Sequence, residues 1–153
     1  MAESGGRRIK RSILIQTQSI RFLEDADLTN LQRIERIADF LKERKAEIDA
    51  ANAGVDKSLA INGRNLTNLG LYRKYIENYL EKHPKINSEL TIMCRQLPTT
   101  SYGSTPLEIY AFSSDKVWKN YEHITADIFD HLLAAVSYFD LRCFELDRSV
   151  TKS

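Results

Sequence analysis

The fold is decided by the stretch Leu107-Glu108-Ile109-Tyr110-Ala111-Phe112. Successive side chains of a strand point to opposite faces, so Tyr110 and Phe112 share one face with Glu108, and the three aliphatic residues share the other. Residues 90–97 alternate in the same way, and the residues between the two runs are rich in Pro, Thr, Ser and Gly. The two runs therefore predict a β-hairpin with a loose loop.

The N-terminal half predicts one strand followed by two helices. Alternating β-branched residues after a Gly-Gly pair indicate a strand at 9–17. Apolar residues recur at helical spacing between 31 and 48, and Thr29 and Gln32 are spaced as a capping box, so we expect a helix ending near residue 52. After a loop at 54–66, a second helix starts at residue 67 or 68 and ends at His83-Pro84, because proline cannot continue it. Its tyrosine stripe is interpreted as core and subunit packing.

The C-terminal part predicts a last helix that leads into a short strand. Ser113 or Ser114 can cap this helix, its apolar stripe continues to Phe139, and residues 141–146 resemble a strand. The resulting order of strand, helix pair, strand, strand, helix and strand predicts an α+β fold. We expect a ferredoxin-like split β-α-β sheet, four-stranded and largely antiparallel, with an extra helix in the first crossover. In its strand order 4-1-3-2 all helices cover one sheet face, so the other face meets solvent or a partner.

Composition and charge exclude several classes of protein. The chain of 153 residues has 22 Lys and Arg against 21 Asp and Glu, a formal net charge of +1, which provides no global field for nucleic acid or an anionic membrane. No apolar run approaches the roughly 20 residues that a membrane-spanning helix needs, and no secretory signal is apparent, so we expect a soluble chain that stays in the cytoplasm. Cys94 and Cys143 are predicted on opposite edge strands, about 14 Å apart, as free thiols.

Three groups of residues are candidate sites. His123, Asp127 and His131 share one helix face and could hold a divalent metal, but ligands spread over two turns of one helix cannot all reach one ion, so a polar helix face is favoured. The basic cluster at 7–11 is favoured as a solvated linker over a phosphate-binding patch. Tyr110 and Phe112, with Met93 and Arg95 from the neighbouring strand, could stack on RNA bases, although the signature of RNA-recognition domains is missing.

No phosphate-binding glycine loop, nucleophile elbow or His-Glu metal motif occurs in the sequence, so we expect no enzyme activity, no cofactor and no bound metal.

Six strings resemble, in order and interval, the C-terminal region of miniconductance mechanosensitive channels of the MscS superfamily. The resemblance extends from about residue 4 to about residue 144, and the strings from 106 and 126 are specific to this subfamily. The strings are Gly5-Gly-Arg-Arg-Ile-Lys-Arg11, Leu66-Thr-Asn-Leu-Gly70, Tyr79-Leu-Glu-Lys-His-Pro84, Arg95-Gln-Leu97, Pro106-Leu-Glu-Ile-Tyr-Ala-Phe112 and Ala126-Asp-Ile-Phe-Asp-His131.

The resemblance implies that the chain is the cytoplasmic α/β domain of such a channel. In the family, a membrane pore is followed by a middle β domain and then by this domain, and the subunits form a homoheptamer around a cytoplasmic vestibule. The implied boundaries are a linker from the middle β domain at 1–11, the α/β domain at 12–146 and a tail at 147–153. The parent protein lies in the bacterial inner membrane and opens under tension during hypoosmotic shock, whereas this part cannot conduct. Tyr110, Phe112 and Trp118 are the candidate interface residues.

Two other functions remain open from the sequence. One is a stand-alone ferredoxin-like module for regulation or RNA binding, suggested by Tyr110 and Phe112. The other is a ligand-sensing domain that adjusts the channel to cytoplasmic solutes. Pore helices encoded ahead of residue 4 would separate the channel from the stand-alone module.

Overall fold

A computed structural model describes residues 2–3 and 5–146 and has an α+β architecture. The predicted tail at 147–153 lies outside the described residues. The elements are β1 (Ala2–Glu3), β2 (Gly6–Gln16), α1 (Asp25–Leu31), α2 (Glu35–Ala51), α3 (Asn68–Glu81), β3 (Met93–Gln96), β4 (Ser104–Ser113) and α4 (Trp118–Ala135), with 3-10 turns at Thr17–Ser19 and Val136–Phe139. Among these residues, no helix is long and apolar enough to cross a bilayer.

The sheet is open, antiparallel and built on β4. β4 pairs with β2 from Arg7↔Ser113 to Gln16↔Ser104, and with β3 from Met93↔Tyr110 to Gln96↔Leu107. The two-residue β1 extends the outer edge of β2, so the strand order is β1-β2-β4-β3. The predicted neighbours of the β4 hairpin strand are therefore confirmed.

The strand predicted at 141–146 is wrong. Only Cys143 forms a bridge, opposite Ile15, and the N–H of Phe144 donates to the carbonyl of Leu14 at 2.8 Å. Because Leu141 is buried while Leu146 is exposed, the end of this segment has no apolar contact that would extend the pairing. The fourth strand is thus reduced to a single bridge on the same edge of β2 that β1 occupies.

The linker predicted at 1–11 is also corrected for residues 6–11, which lie inside β2. Their alternation explains this: Ile9 is in the core, while Arg7 and Arg11 point to the same side and cover aromatic rings of α4. The guanidinium of Arg7 lies 4.7 Å from the ring centre of Tyr121, and that of Arg11 lies 5.0 Å from the ring centre of Phe129. Cation–π contacts therefore hold two of the basic residues on the packed face of the sheet.

Two of the predicted helix starts are wrong. The first predicted helix is divided into α1 and α2, and its capping box is formed by Glu24 and Asp27, one turn ahead of the pair expected at Thr29 and Gln32. The last helix begins at Trp118 instead of after the serines at 113 and 114, because Asp115 first accepts the N–H of Val117 at 2.9 Å in a turn. The serine at 113 remains in β4.

The prediction of α3 is confirmed. Thr67 is its N-cap and accepts the N–H of Gly70 at 3.1 Å, and the helix ends at Glu81, just before the His-Pro pair. Its tyrosine stripe lies in the core, as expected: Tyr72 is fully buried and its hydroxyl donates to the carbonyl of Leu132 in α4 at 2.6 Å. The stripe therefore joins α3 to α4.

The core lies between one face of the sheet and the helices. It contains Ile9 and Ile13 from β2 and Ile109 from β4, packed with side chains of α3 and α4 such as Ile76 and Ile128. No member of the hydrophobic cluster comes from the alternate positions of β2 and β4, but Pro106, Glu108 and Phe112 at these positions of β4 are buried, so the sheet face away from the helices is only partly exposed. The two cysteines are free, as predicted, and lie at opposite edges of the sheet, although Cys143 forms an isolated bridge instead of part of a strand.

A buried amide ties three distant segments together. Asn68 is fully buried; its Oδ1 accepts the N–H groups of Arg21 and Leu69, both at 2.9 Å. Its Nδ2 donates to the carbonyl oxygens of Ser19 at 3.0 Å and Asp140 at 3.3 Å. This one side chain therefore fixes the start of α3, the segment 19–21 after β2 and the turn after α4 at residue 140.

Candidate subunit interface

The first candidate surface is the face of the sheet opposite the helix-packed core, here called the open sheet face. The register brings together the side chains predicted to share it: Met93 lies opposite Tyr110, and Arg95 lies opposite Glu108. From the other side, β2 contributes Arg8, Lys10 and Leu14, which lie opposite Phe112, Tyr110 and Pro106.

An ion pair fixes one half of the open sheet face. Glu108 is buried, and its Oε1 accepts from Nε of Arg95 at 2.8 Å. A buried carboxylate needs a partner, and the half-exposed Arg95 provides it. Arg8 and Lys10 are exposed and form no ion pair with another described residue. The open sheet face therefore carries uncompensated positive charge along β2.

The two aromatic residues of this face have different exposure. The rings of Tyr110 and Phe112 meet edge-on with their centres 5.6 Å apart. Phe112 is only 4% exposed, whereas Tyr110 is half-buried. Of this pair, Tyr110 is the ring that a neighbouring molecule can contact.

The second candidate surface is the solvent side of α4, here called the outer face of α4. Trp118, the third predicted interface residue, is 64% exposed at the start of this helix. Leu133 is 47% exposed near its end, and Tyr138 in the following 3-10 turn is 73% exposed. These exposed apolar side chains at the two ends of the helix make its solvent side a candidate contact surface.

The outer face of α4 is acidic between its apolar ends. Glu122, Asp127 and Asp130 are exposed, and none of them forms an ion pair with another described residue. From residue 120 to residue 141 the sequence contains no Lys or Arg. These carboxylates therefore give the outer face of α4 negative charge without an ion pair to a described residue, while Arg7 and Arg11 lie beside the helix on the sheet side.

His131, one of the three residues considered as metal ligands, makes other contacts in the structure. Nε2 of His131 lies 2.6 Å from the hydroxyl of Tyr75, and its ring stacks on Tyr79 with the centres 4.3 Å apart. Burial and, less strongly, the charge of Arg36 lower the pKa of His131. Within residues 2–3 and 5–146, no group of three or more His, Cys, Asp or Glu side chains is placed to hold a metal.

Sequence reasoning missed Leu133 and Tyr138 as surface residues. A signal was present, since both lie off the apolar stripe of the last helix that includes Ile128 and Leu132. Apolar residues outside the core-facing stripe of an amphipathic helix indicate a second contact. No family model matches this chain.

Proposed function

We propose that this chain is the cytoplasmic C-terminal α/β domain of a bacterial miniconductance mechanosensitive channel of the MscS superfamily. Its role is assembly of the homoheptameric ring around the vestibule, and it carries no catalytic step. The six sequence strings support the family. One structural observation supports the role: two surfaces of different character, the open sheet face with the half-buried Tyr110 and the outer face of α4 with the exposed Trp118, lie on opposite sides of the domain.

A cyclic oligomer with more than two subunits uses interfaces of this type. Each subunit contacts its two neighbours through two different surfaces, whereas a two-fold dimer buries the same surface twice. We propose the half-buried Tyr110 on one side and the exposed Trp118 on the other as contacts. Phe112 packs edge-on against Tyr110.

In the parent protein, the domain lies on the cytoplasmic side of the inner membrane. Tension favours the channel state with the larger in-plane area, and the pore opens during hypoosmotic shock. Pore helices supplied by another part of the parent conduct the ions. The domain holds the subunits together and frames the vestibule through which solutes reach the pore.

We also propose that the sheet is a reduced ferredoxin-like split β-α-β arrangement. The order β2-β4-β3 and the antiparallel pairing support this assignment, as does the bridge of Cys143 to the outer edge of β2, where a fourth strand would pair. On this view the domain is the segment 12–146 together with the strand residues that precede it.

The test begins with the gene. We expect the sequence encoded ahead of residue 4 to contain pore helices and a middle β domain. The full gene product should restore survival of hypoosmotic shock to bacteria that lack mechanosensitive channels, and should give tension-gated currents in membrane patches. Deletion of residues 12–146 should abolish the heptamer in detergent. An upstream sequence without membrane-spanning helices would refute the proposal.

A stand-alone RNA-binding module is the second candidate. The half-buried Tyr110, next to the exposed Lys10 and Arg8, is the observation that favours it, since bases stack on such rings beside cations. The buried Glu108 on the same face opposes a phosphate backbone. Binding of single-stranded RNA that weakens with salt and is lost in Tyr110→Ala would support this candidate, and the channel proposal predicts no such binding.

A further inference from the structure

We infer that a pocket beside the C-terminal end of α4 binds a small aromatic carboxylate. The pocket lies where the end of α4 and the following 3-10 turn meet α3 and Ile34, the residue ahead of α2. A ligand site goes beyond the proposed role in ring assembly and does not depend on it. This site is here called the aromatic pocket, and its other lining residues are Tyr75, His131, Ala134, Ala135, Tyr138 and Phe139.

The walls of the aromatic pocket are apolar, and the core holds two of them in place. Tyr75 and Phe139 are buried, and their ring centres lie 5.4 Å apart. Ala134 and Ala135 contribute only a methyl group each, so α4 leaves space there. Tyr138 is 73% exposed, so one wall faces solvent and a ligand can enter from that side.

The size and the rings of the aromatic pocket favour a flat ligand. Its volume is about 310 Å³, at the low end of the roughly 300–1,000 Å³ that is typical of small-molecule sites. Aromatic rings gain stabilisation from stacked or edge-on contacts with other rings, beyond the burial of their surface. Because Tyr75, Tyr138 and Phe139 all line the pocket, an aromatic ligand fits it better than an aliphatic chain.

A cation without a carboxylate partner lies at the polar end of the pocket, where Nε2 of His131 is 2.6 Å from the hydroxyl of Tyr75. The guanidinium of Arg36 lies 5.3 Å from the ring centre of Tyr79, the same ring on which His131 stacks. Burial raises the pKa of Tyr75, and the charge of Arg36 opposes this rise. Arg36 is exposed and forms no ion pair with another described residue. It is therefore available to a ligand.

The charge of Arg36 selects the class of ligand. An organic cation would meet like charge, and a neutral aromatic compound would leave the guanidinium unpaired. A carboxylate on an aromatic ring uses both features, because the ring packs in the pocket while the carboxylate accepts two parallel hydrogen bonds from the guanidinium. Trp118, the proposed subunit contact on α4, lies at the other end of this 18-residue helix, about 25 Å away, so the two sites are separate.

Titration of the full chain with 2-naphthoate tests the site. Two-dimensional NMR spectra of the backbone amides report both the affinity and the position of binding. The expected dissociation constant is about 0.1–1 mM, from the free energy that each atom of a small ligand contributes. The shifted amides should lie at 34–36 and 131–139.

Two further ligands separate the contribution of the ring from that of the charge. 2-Naphthalenemethanol has the same rings without the charge, and octanoate has the charge without the rings. Each should bind at least about fivefold more weakly than 2-naphthoate, because each lacks one of the two contacts.

Substitutions test the pocket itself, with circular dichroism to check that every variant is folded. Ala134→Leu fills the pocket from an exposed helix position and should weaken the binding of 2-naphthoate at least about tenfold. Its matched control is Ala126→Leu, exposed about two turns earlier on α4, which should bind like the wild type. Arg36→Gln should weaken 2-naphthoate at least about fivefold and leave 2-naphthalenemethanol unchanged. Lys42→Gln, exposed on the same helix, should change neither.

Three results would overturn the inference: no shifts at 131–139 with 2-naphthoate at about 5 mM, an Ala134→Leu variant that binds like the wild type, or equal binding of 2-naphthoate and 2-naphthalenemethanol. None of them bears on the channel assignment, which is tested by the gene sequence ahead of residue 4. An upstream sequence without pore helices would likewise leave the ligand site standing.

Discussion

Replacement of Asn68 by alanine should be among the most destabilising single substitutions of a polar residue in this domain. The side chain is fully buried and makes four hydrogen bonds, at 2.9, 2.9, 3.0 and 3.3 Å, to the adjacent Leu69 and to two segments that are distant in sequence. Alanine leaves two backbone N–H groups and two carbonyl groups without this partner, of which the N–H of Leu69 is buried and the others are partly buried. Buried polar groups that lose a partner cost more than the net value of the bond itself.

The magnitude follows from the bonds that are lost. At about 1 kcal/mol for each bond, with the longest one weaker, the loss is about 3.5 kcal/mol. About 0.5 kcal/mol is recovered because water can reach some of the partly buried groups at 19–21 and 140. We therefore expect the free energy of unfolding to fall by about 3 kcal/mol, a large share of the roughly 5–15 kcal/mol typical of a domain.

Urea unfolding followed by far-UV circular dichroism measures the effect. With a slope of about 2 kcal/mol per molar, the midpoint of Asn68→Ala should fall by about 1.5 M while the slope stays unchanged. The matched control is Asn120→Ala, because Asn120 is exposed and makes one hydrogen bond to Asp115 at 2.8 Å. The control should lose about 0.5 kcal/mol or less. A loss below about 1 kcal/mol for Asn68→Ala, or one equal to the control, would refute the assigned role.

Three further predictions concern other buried or paired groups. Tyr72→Phe removes the hydroxyl that donates to Leu132, so the free energy of unfolding should fall by about 1 kcal/mol; an unchanged urea midpoint would contradict the bond. The hydrogen bond from Arg21 lowers the pKa of the Asp27 carboxyl group from 3.8 to about 2. The stabilising effect of this pair is therefore present above about pH 4 and is lost as the pH falls towards 2. Because the pair is partly exposed, Asp27→Asn should reduce the acid-induced loss of stability by about 0.5 kcal/mol, measured as urea midpoints at pH 7 and pH 2. An identical loss in the variant would argue against the pair. Burial raises the pKa of the Cys94 thiol to about 12, so a thiol reagent at pH 8 should label the half-buried Cys143 first in the native state and both cysteines alike in urea; equal native rates would exclude the buried position.

Side-chain alternation along the strands predicted which residues share a face of the sheet. It predicted that Tyr110 and Phe112 share a face with Glu108, and that Met93 and Arg95 join them, and all of this is confirmed. Alternation did not predict that Phe112 would be buried, because exposure depends on what neighbouring segments cover. The interface roles of Tyr110, Phe112 and Trp118 stay predictions.

The errors share a physical cause. The residues at 6–11 have the composition of a linker, yet two of their arginines lie on aromatic rings of α4, more than 100 positions away in sequence. The strand expected at 141–146 has suitable residues, but only Cys143 bridges to β2, and the chain is exposed from Glu145 onward. Contacts between distant segments decided both outcomes.

The amino-acid sequence by itself determined the class of the fold, the position of α3, the two hairpin strands and the side of each that faces the core. These properties follow from local periodicity and capping, which act over a few residues. Only the tertiary structure decided the full length of β2, the loss of the fourth strand, the burial of Asn68 and the opposite charges of the two outer surfaces. Those properties depend on which distant residues meet, and no local pattern carries that information.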